Sequence, residues 1–596
     1  MKVSHLAAGL VCLFLGLIHE ISAKQPTIVC FGDSGADSGN SPNFTRLTPT
    51  STFAYPAAPH SNGATWIVQL GNLWKTHVEP STRGGLNYAF ASAASSQDGE
   101  KDLAKLFDPQ LIATGKIFIP SLKTQINEFL TQRKDVSKNA VIFYHAASDD
   151  LTDLSVLAAG DAVSSLQLLK SNGYKNQVTF LKFNNDPALE LFASEFNNAL
   201  LNDLNETSLH PVVIDTSAFT IDLQTNLAFY GFVGLGPMET STGPNNTYFW
   251  FDNLHQSELS QHLFSEYVYN ILAAPVYVGR LAAQPLAVMR GQNAVLRQEL
   301  YPITTLCVGQ VYPFFSGSYI PAEKAPFAKD SGDGSGWNAT AGVAYRYLCE
   351  WTLGIAGGYN RNFFEDHNTL GKCTFDLNSW IVSFFSDMQI GHGYFNGIIS
   401  VGWMKFDDIE RKFSIGPKTW HAKGDTSGMQ YDALFEGGWF CLRKGMFQMG
   451  PIATLEYQHD DIHGYTEHNA SYNDLQYKEQ HINSLIAGVG LEALISNACK
   501  CSNDCVPGFS MTLFLAANEE FFNSKRTIKF RQQIIGPDAP YGNWPISQDW
   551  TFFGSYGLNM TYSWQNKALF SWGYRGNIGQ HGMFEQNLTA NVTFPL

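Results

Sequence analysis

Between residues 351 and 360 the chain reads Trp-Thr-Leu-Gly-Ile-Ala-Gly-Gly-Tyr-Asn. This period of two restricts the fold more than any other feature of the sequence. In an extended strand Trp351, Leu353, Ile355 and Tyr359 share one face, and Thr352, Gly354, Ala356, Gly358 and Asn360 share the other. Large apolar side chains outward and small or polar ones inward are what a strand needs between lipid and a wet lumen. The pattern returns at 449–458, where Met449, Pro451, Ala453, Leu455 and Tyr457 oppose Gly450, Thr454, Glu456 and Gln458. It returns again near the end, where Leu588, Ala590, Val592 and Phe594 oppose Asn587, Thr589, Asn591 and Thr593. A soluble β-sandwich also alternates. The composition favours the membrane: aromatics are 14%, charged residues only 15%, and glycines number 52. No spanning helix is read from the sequence, which leaves strands to cross the bilayer. At about ten residues per strand plus connections, the stretch 303–596 holds about 12 strands. The mixed polar and apolar helical stretch 286–301 before it is long enough to thread the lumen.

The N-terminal half has a different texture. Residues 1–23 read as a secretory signal, with Lys2 near the start, an apolar run, and Ile21-Ser22-Ala23 at the cut. Strand-like runs at 27–31, 139–145 and 212–216 then alternate with helical patterns near 64–74, 121–131 and 188–204. That alternation predicts an α/β domain whose parallel sheet carries its site at the C-terminal ends of the strands. The net charge of −15 argues against a nucleic-acid partner. No metal-ligand spacing and no dinucleotide fingerprint occurs, so neither metal nor cofactor is expected.

The apolar run Thr27-Ile28-Val29-Cys30-Phe31 leads into Gly32-Asp33-Ser34-Gly35. Two glycines around a serine allow the sharp turn that presents a nucleophilic hydroxyl, although the same letters also serve ordinary turns. Far downstream, Asp252 precedes His255 by three residues, just before an amphipathic helix with Ser257 as its N-cap. A carboxylate there orients the imidazole, whose other nitrogen takes a proton from the serine. The aromatic run 248–251 beside these residues predicts an apolar acyl site.

These two blocks resemble the first and last blocks of the GDSL (SGNH) esterase/lipase family. Gly85-Leu86-Asn87-Tyr88-Ala89-Phe90-Ala91-Ser92-Ala93 resembles its second block, and Val141 to Asp150 lies where the third belongs. Phe196-Asn197-Asn198-Ala199-Leu200 and Tyr230-Gly231-Phe232 also fit members of the lipase type. The resemblance covers roughly residues 25–275 and implies a three-layer α/β domain. It also implies Ser34, Asp252 and His255 as catalytic residues, with backbone N–H groups of Ser34 and of Ala91 or Ser92 in the oxyanion hole. There are two departures: the block-two glycine appears as Ala91 or Ser92, and the block-three asparagine appears as Ser148. Losing one oxyanion donor typically costs about 10²–10³ in turnover, so either Ser148 reaches the oxyanion, directly or through water, or another group does, or the enzyme is slow.

The C-terminal half resembles the translocator barrel of bacterial autotransporters, in 450–457, 464–467 and the final strand. Such barrels usually finish on an aromatic residue; here Pro595 and Leu596 follow Phe594. The two resemblances together imply an esterase autotransporter with a signal at 1–23, a passenger at 24–280, a lumen helix at 281–302 and a barrel at 303–596. The expected activity is hydrolysis of carboxylic esters, lipid or lysophospholipid-like, at the bacterial surface. Expected partners are the ester substrate, outer-membrane lipid and the outer-membrane assembly machinery, with the chain acting as a monomer. The alternative is a surface-displayed binding protein or adhesin with an inactive GDSL domain.

Removing Cys12 with the signal leaves eight of the nine cysteines, in an oxidising compartment where disulfides are allowed. Cys30 reads as a small buried hydrophobe, and the cluster Cys499, Cys501 and Cys505 as a loop disulfide in preference to a metal site.

Overall fold

The computed structural model describes residues 26–594 except 42–60, 103–115, 147–154, 183–186, 238–247, 252–254, 304–307, 325–332, 498–507, 524, 548–550, 565–567 and 580–583. The expected signal, Asp252, Ser148 and the cluster Cys499, Cys501 and Cys505 lie outside the described residues.

Four short strands, β1 (Ile28–Phe31), β2 (Val141–Tyr144), β3 (Asn176–Leu181) and β4 (Val212–Asp215), form a parallel sheet in the order β1-β2-β3-β4. Their near-continuous apolar sequences follow from burial on both faces. Ile28, Cys30, Val141, Phe143, Val178 and Phe180 point into one core. Val29, Phe31, Ile142 and Tyr144 point into the other. Helix α1 (Trp66–Leu73) and the long α6 (Glu258–Leu281) cover the first face. Helices α2 (Leu122–Gln132), α3 (Ser155–Ser171) and α4 (Pro187–Asn205) cover the second, and α5 (Ser217–Thr225) follows β4. Cys30 is fully buried and its thiol is unbridged, as a small hydrophobe would be.

Helix α7 (Gln284–Ile303) carries the chain into a closed antiparallel barrel. Its strands are β5 (Val311–Lys324), β6 (Asp333–Leu348), β7 (Trp351–His367), β8 (Gly371–Ile390), β9 (Gly393–Ile415) and β10 (Lys418–Trp439). Then come β11 (Phe447–Ile462), β12 (Gln480–Ser496), β13 (Phe509–Glu520), β14 (Phe552–Trp564), β15 (Ala568–Gly579) and β16 (Phe584–Thr593). These are the 12 strands expected. Closure comes where β16 pairs with β5, Thr593 opposite Phe314, so no edge is left exposed to lipid. The predicted faces of β7 hold: Leu353 and Ile355 are exposed, and Thr352, Ala356, Gly358 and Asn360 are buried.

The lumen is filled by α7 and its polar contacts. Arg290 pairs with Glu585 at 2.7 Å and Arg297 with Glu436 at 3.0 Å. Asn338 donates to Gln292 at 2.7 Å, and Asn293 donates to Asp432 at 3.0 Å and Glu456 at 2.9 Å. The sequence reading missed one feature: Glu258–Leu300 is long and apolar enough to cross a bilayer. Its apolar window is 89% buried in protein, however, so packing against the sheet and the lumen explains its composition.

The outer end of the barrel also supports the passenger. Loop segments Leu475–Tyr477, Lys525–Gln532 and Gly542–Ser547 form part of a small sheet beside β4. Gln532 accepts the Asp215 N–H at 2.7 Å, and the Asn543 N–H donates to the His210 carbonyl at 2.9 Å. The open edge of the parallel sheet is thereby capped. Asp222 accepts from Tyr230 and Tyr472 at 2.7 Å each and from Lys418 at 2.9 Å. One apolar core runs from Ile28 through Tyr267 to Trp420, Tyr472 and Phe530.

Candidate active site

The chain leaves β1 at Phe31 and turns at Gly32, which Gln125 of α2 holds from both sides. The Gln125 Oε1 accepts the Gly32 N–H at 3.0 Å, and its Nε2 donates to the Gly32 carbonyl at 3.0 Å. A Cβ at Gly32 would lie 3.1 Å from the His145 side chain, so the close approach favours glycine. Asp33 accepts the Gly35 N–H through Oδ1 at 3.0 Å, and its carbonyl accepts the Ala36 and Asp37 N–H groups. One turn thus begins at Ser34, held by the Asp33 carboxylate and carbonyl, and it presents Ser34 at the C-terminal end of β1.

The turn is braced from below by Asp37 and Asn40. Buried Asp37 accepts N–H bonds from Gly39 and Asn40 at 2.8 Å, from Ser41 at 3.1 Å and from Ala91 at 3.0 Å, plus the Ser41 hydroxyl at 2.5 Å. Burial raises its carboxyl pKa, and these hydrogen bonds act in the opposite direction. Asn40 donates to the Asn87 and Ala89 carbonyls at 2.7 and 2.8 Å, while Asn87 donates back to the Ala36 carbonyl at 2.8 Å. The second block therefore lies alongside the first, with the Phe90 N–H on the Gly32 carbonyl at 3.0 Å.

This geometry separates the two oxyanion alternatives. The Ala91 N–H is committed to Asp37 and to the Ser41 hydroxyl at 2.8 Å, so the expectation that it serves an oxyanion is corrected. Ser92 is the residue in the left-handed region, with φ +64°, where a glycine would sit without strain.

The loop before α6 delivers the histidine. The Phe251 N–H donates to the His255 carbonyl at 2.8 Å and the Ser257 N–H to the Phe249 carbonyl at 3.0 Å, which closes a tight turn. Ser257 caps α6 by accepting from the Ser260 N–H, and Asn62 accepts the Glu258 N–H at 2.8 Å. His255 Nε2 then lies 2.9 Å from Ser34 Oγ, across 221 residues of sequence. Within the run 248–251, expected to form an acyl site, Phe249 and Phe251 are 0% and 3% exposed, and Phe249 packs against Phe232 and Trp250 in the core beneath the loop, while Tyr248 and Trp250 are half-buried.

Several residues at the site carry no sequence signal. Gln125 sits in an ordinary amphipathic helix, and Asp37 and Asn40 read only as turn residues. His145 follows β2, with Nδ1 3.3 Å from Asp33 Oδ1 and its ring 5.5 Å from that of Phe180. Burial, followed by the Lys182 cation, lowers its imidazole pKa, and Asp33 opposes the shift. Lys182, itself buried, donates to the Ala146 carbonyl. Among the described residues no cluster of side chains suited to a metal occurs.

Residues 327–499 match the family model described as the autotransporter beta-domain. A Pseudomonas putida relative, described as an uncharacterized protein in the trpE-trpG intergenic region, is 24% identical over 553 residues, covering 83% of this chain and 90% of its own length. Esterase EstA of Pseudomonas aeruginosa is 27% identical over 249 residues, which is 40% of this chain and 38% of the esterase. The match thus spans well under half of that relative. The translocator domain of the autotransporter NalP from Neisseria meningitidis aligns with a TM-score of 0.38 and 13% identity, covering 54% of this chain and 98% of that domain.

Proposed function

We propose, for a chain whose C-terminal half is an outer-membrane autotransporter barrel carrying an exported passenger, that the passenger is a serine ester hydrolase. The observation that carries this reading is the 2.9 Å contact between His255 Nε2 and Ser34 Oγ. A hydroxyl at that distance from an imidazole nitrogen is placed to lose its proton as it attacks a carbonyl.

In this reading Ser34 Oγ attacks the ester carbonyl while His255 takes the proton. His255 then returns it to the leaving alcohol, and an activated water releases the acyl group. Asp252, three residues before His255, is assigned to the other ring nitrogen. The backbone N–H groups of Ser34 and Ser92 are assigned to the oxyanion, with Ser148 as a third donor in place of an amide. The passenger is assigned to 24–280, the lumen segment to 281–302 and the barrel to 303–596. The 27% identity to Esterase EstA supports ester chemistry of this kind, and lipid-like acyl esters are the proposed substrates.

The test is p-nitrophenyl butyrate hydrolysis by the full chain in detergent beside its Ser34→Ala and His255→Ala variants. The expected result is turnover by the unaltered chain and a loss of at least 10³-fold in both variants. Equal background rates in all three would leave the surface-displayed binding protein as the better account.

A further inference from the structure

A cavity of about 970 Å³ lies between the passenger and the outer end of the barrel. Pro26, Val141 and Asn176, at or just before the starts of β1, β2 and β3, contribute one wall. Ser34 stands at the opposite ends of the same strands, so this cavity is not the candidate active site. Leu272 and Val276 of α6 and Trp544 and Ile546 of the barrel loops make an apolar surface within it.

The charged residues of the lining have one sign. Lys138, Lys170 and Lys175 of the passenger and Lys525 of the barrel loops all face the cavity, and no aspartate or glutamate lines it among the described residues. In a chain of net charge −15 that is a concentrated positive field. None of the four lysines is paired with a carboxylate among the described residues: Lys138 lies over the Tyr174 ring at 3.8 Å and Lys170 donates to the Ser208 carbonyl at 2.6 Å, while Arg280 is held by Asp366 and Arg526 by the Gly279 carbonyl at 2.8 Å. His210, also in the lining, has its pKa lowered by burial and then by Lys170, Lys529 and Lys478, a second sign of the same field. The Tyr277 hydroxyl, in a side chain 5% exposed, lines the cavity and has no hydrogen-bond partner among the described residues.

The place of the cavity relative to the bilayer suggests what fills it. Phe521 and Phe522, 55% and 56% exposed, directly follow β13 at its outer end, and Lys525 comes three residues later. Exposed aromatics followed by cations mark the boundary between acyl chains and headgroups. A pocket of this size accommodates a headgroup and the first part of an acyl chain.

We propose that this cleft binds a lipid of the outer leaflet with a net-anionic phosphate headgroup, the lysines holding the phosphate and Trp544, Ile546 and Leu272 contacting the apolar part. Such a lipid seats the passenger on the membrane from the side away from Ser34. The site stands independently of the hydrolase reading.

The experiment uses the full chain in dodecyl maltoside micelles and counts lipid adducts by native mass spectrometry. The probes are dioleoyl phosphatidic acid, dioleoyl phosphatidylcholine and inorganic phosphate, offered to the unaltered chain, to a Lys170→Gln/Lys175→Gln/Lys525→Gln variant and to the single exposed change Lys175→Glu. The unaltered chain is expected to bind phosphatidic acid about 10–100-fold tighter than phosphatidylcholine, with the preference abolished in the triple variant and several-fold weaker in the single one. Heat-modifiable gel mobility reports that each barrel is folded; if the triple variant fails this check, Lys175→Glu decides. Equal phosphatidic acid binding by the variants, equal binding of the two lipids, or complete displacement of the lipid by millimolar inorganic phosphate would overturn the proposal.

Discussion

Gln125 holds both polar groups of the Gly32 peptide, accepting its N–H and donating to its carbonyl at 3.0 Å each, 93 residues away in sequence. The nucleophile turn is thus fixed to α2 by one buried side chain. Gln125→Leu leaves the buried Gly32 N–H without a partner, at about 1–3 kcal/mol, while the Gly32 carbonyl keeps the Phe90 N–H. The expected outcome is a lower thermal midpoint of the passenger and a fall in kcat larger than any change in KM, because Ser34 is displaced relative to His255. Gln125→Glu supplies no N–H for the Gly32 carbonyl and should be impaired as well. Steady-state kinetics with intrinsic tryptophan fluorescence melts checks both.

Ser92 occupies left-handed backbone at φ +64°. Ser92→Gly removes the strain at that position, although glycine's looser unfolded chain offsets part of the gain, so stability should change by less than about 1 kcal/mol. Ser92→Val, β-branched at the same φ, should cost about 1–2 kcal/mol. Urea titration of the passenger's fluorescence distinguishes the two, and matching losses would remove the argument from backbone strain.

The pKa of His145 is lowered in the fold by burial and by Lys182. Above the unfolded-state value of about 6.5 both states are neutral at this residue and pH has no effect through it. Below that value the unfolded chain takes up a proton that the folded chain resists, so stability falls as pH drops toward the folded pKa. His145→Gln should flatten this acid limb. Melting temperature against pH for both proteins is the check, and parallel profiles would contradict the assignment.

The architecture was legible in the sequence because both sheets are governed by simple periodicities. Lipid outside and a polar lumen inside impose alternation on every barrel strand, so Leu353 and Thr352 could be assigned to faces from their types alone. Burial on both faces imposes apolar runs on β1 and β2. The pairing of Ser34 with His255 was legible through the turn and helix-start chemistry around each residue. Gln125, Asp37 and His145 were not, because a side chain that completes a distant turn looks like any other polar residue until the chain is folded. The buried Phe249 and Phe251 show the converse error, since an aromatic run near a site reads equally well as lining or as packing.

Phe384 of β8 is 61% exposed on the outer face, opposite Ile355 of β7 and Ile399 of β9. Phe384→Arg places a cation among lipid-facing apolar side chains and should destabilise the barrel by up to about 2–4 kcal/mol. The neighbouring inward residue Ser383 hydrogen-bonds Ser400 at 2.8 Å, and Ser383→Ala should cost about 1 kcal/mol or less. Folded fractions in urea, read from heat-modifiable mobility in lipid vesicles, test the contrast.

The central claim is that Ser34 is activated by His255, and a serine-directed fluorophosphonate tests it most directly. The serine oxygen displaces fluoride from the reagent's phosphorus as the base takes its proton, so an activated hydroxyl reacts far faster than an ordinary one. The account predicts a single adduct per chain, located by peptide mass spectrometry at Ser34 and abolished by His255→Ala in a barrel that still shows heat-modifiable mobility. An adduct on another serine, or no adduct on the intact chain, would contradict it.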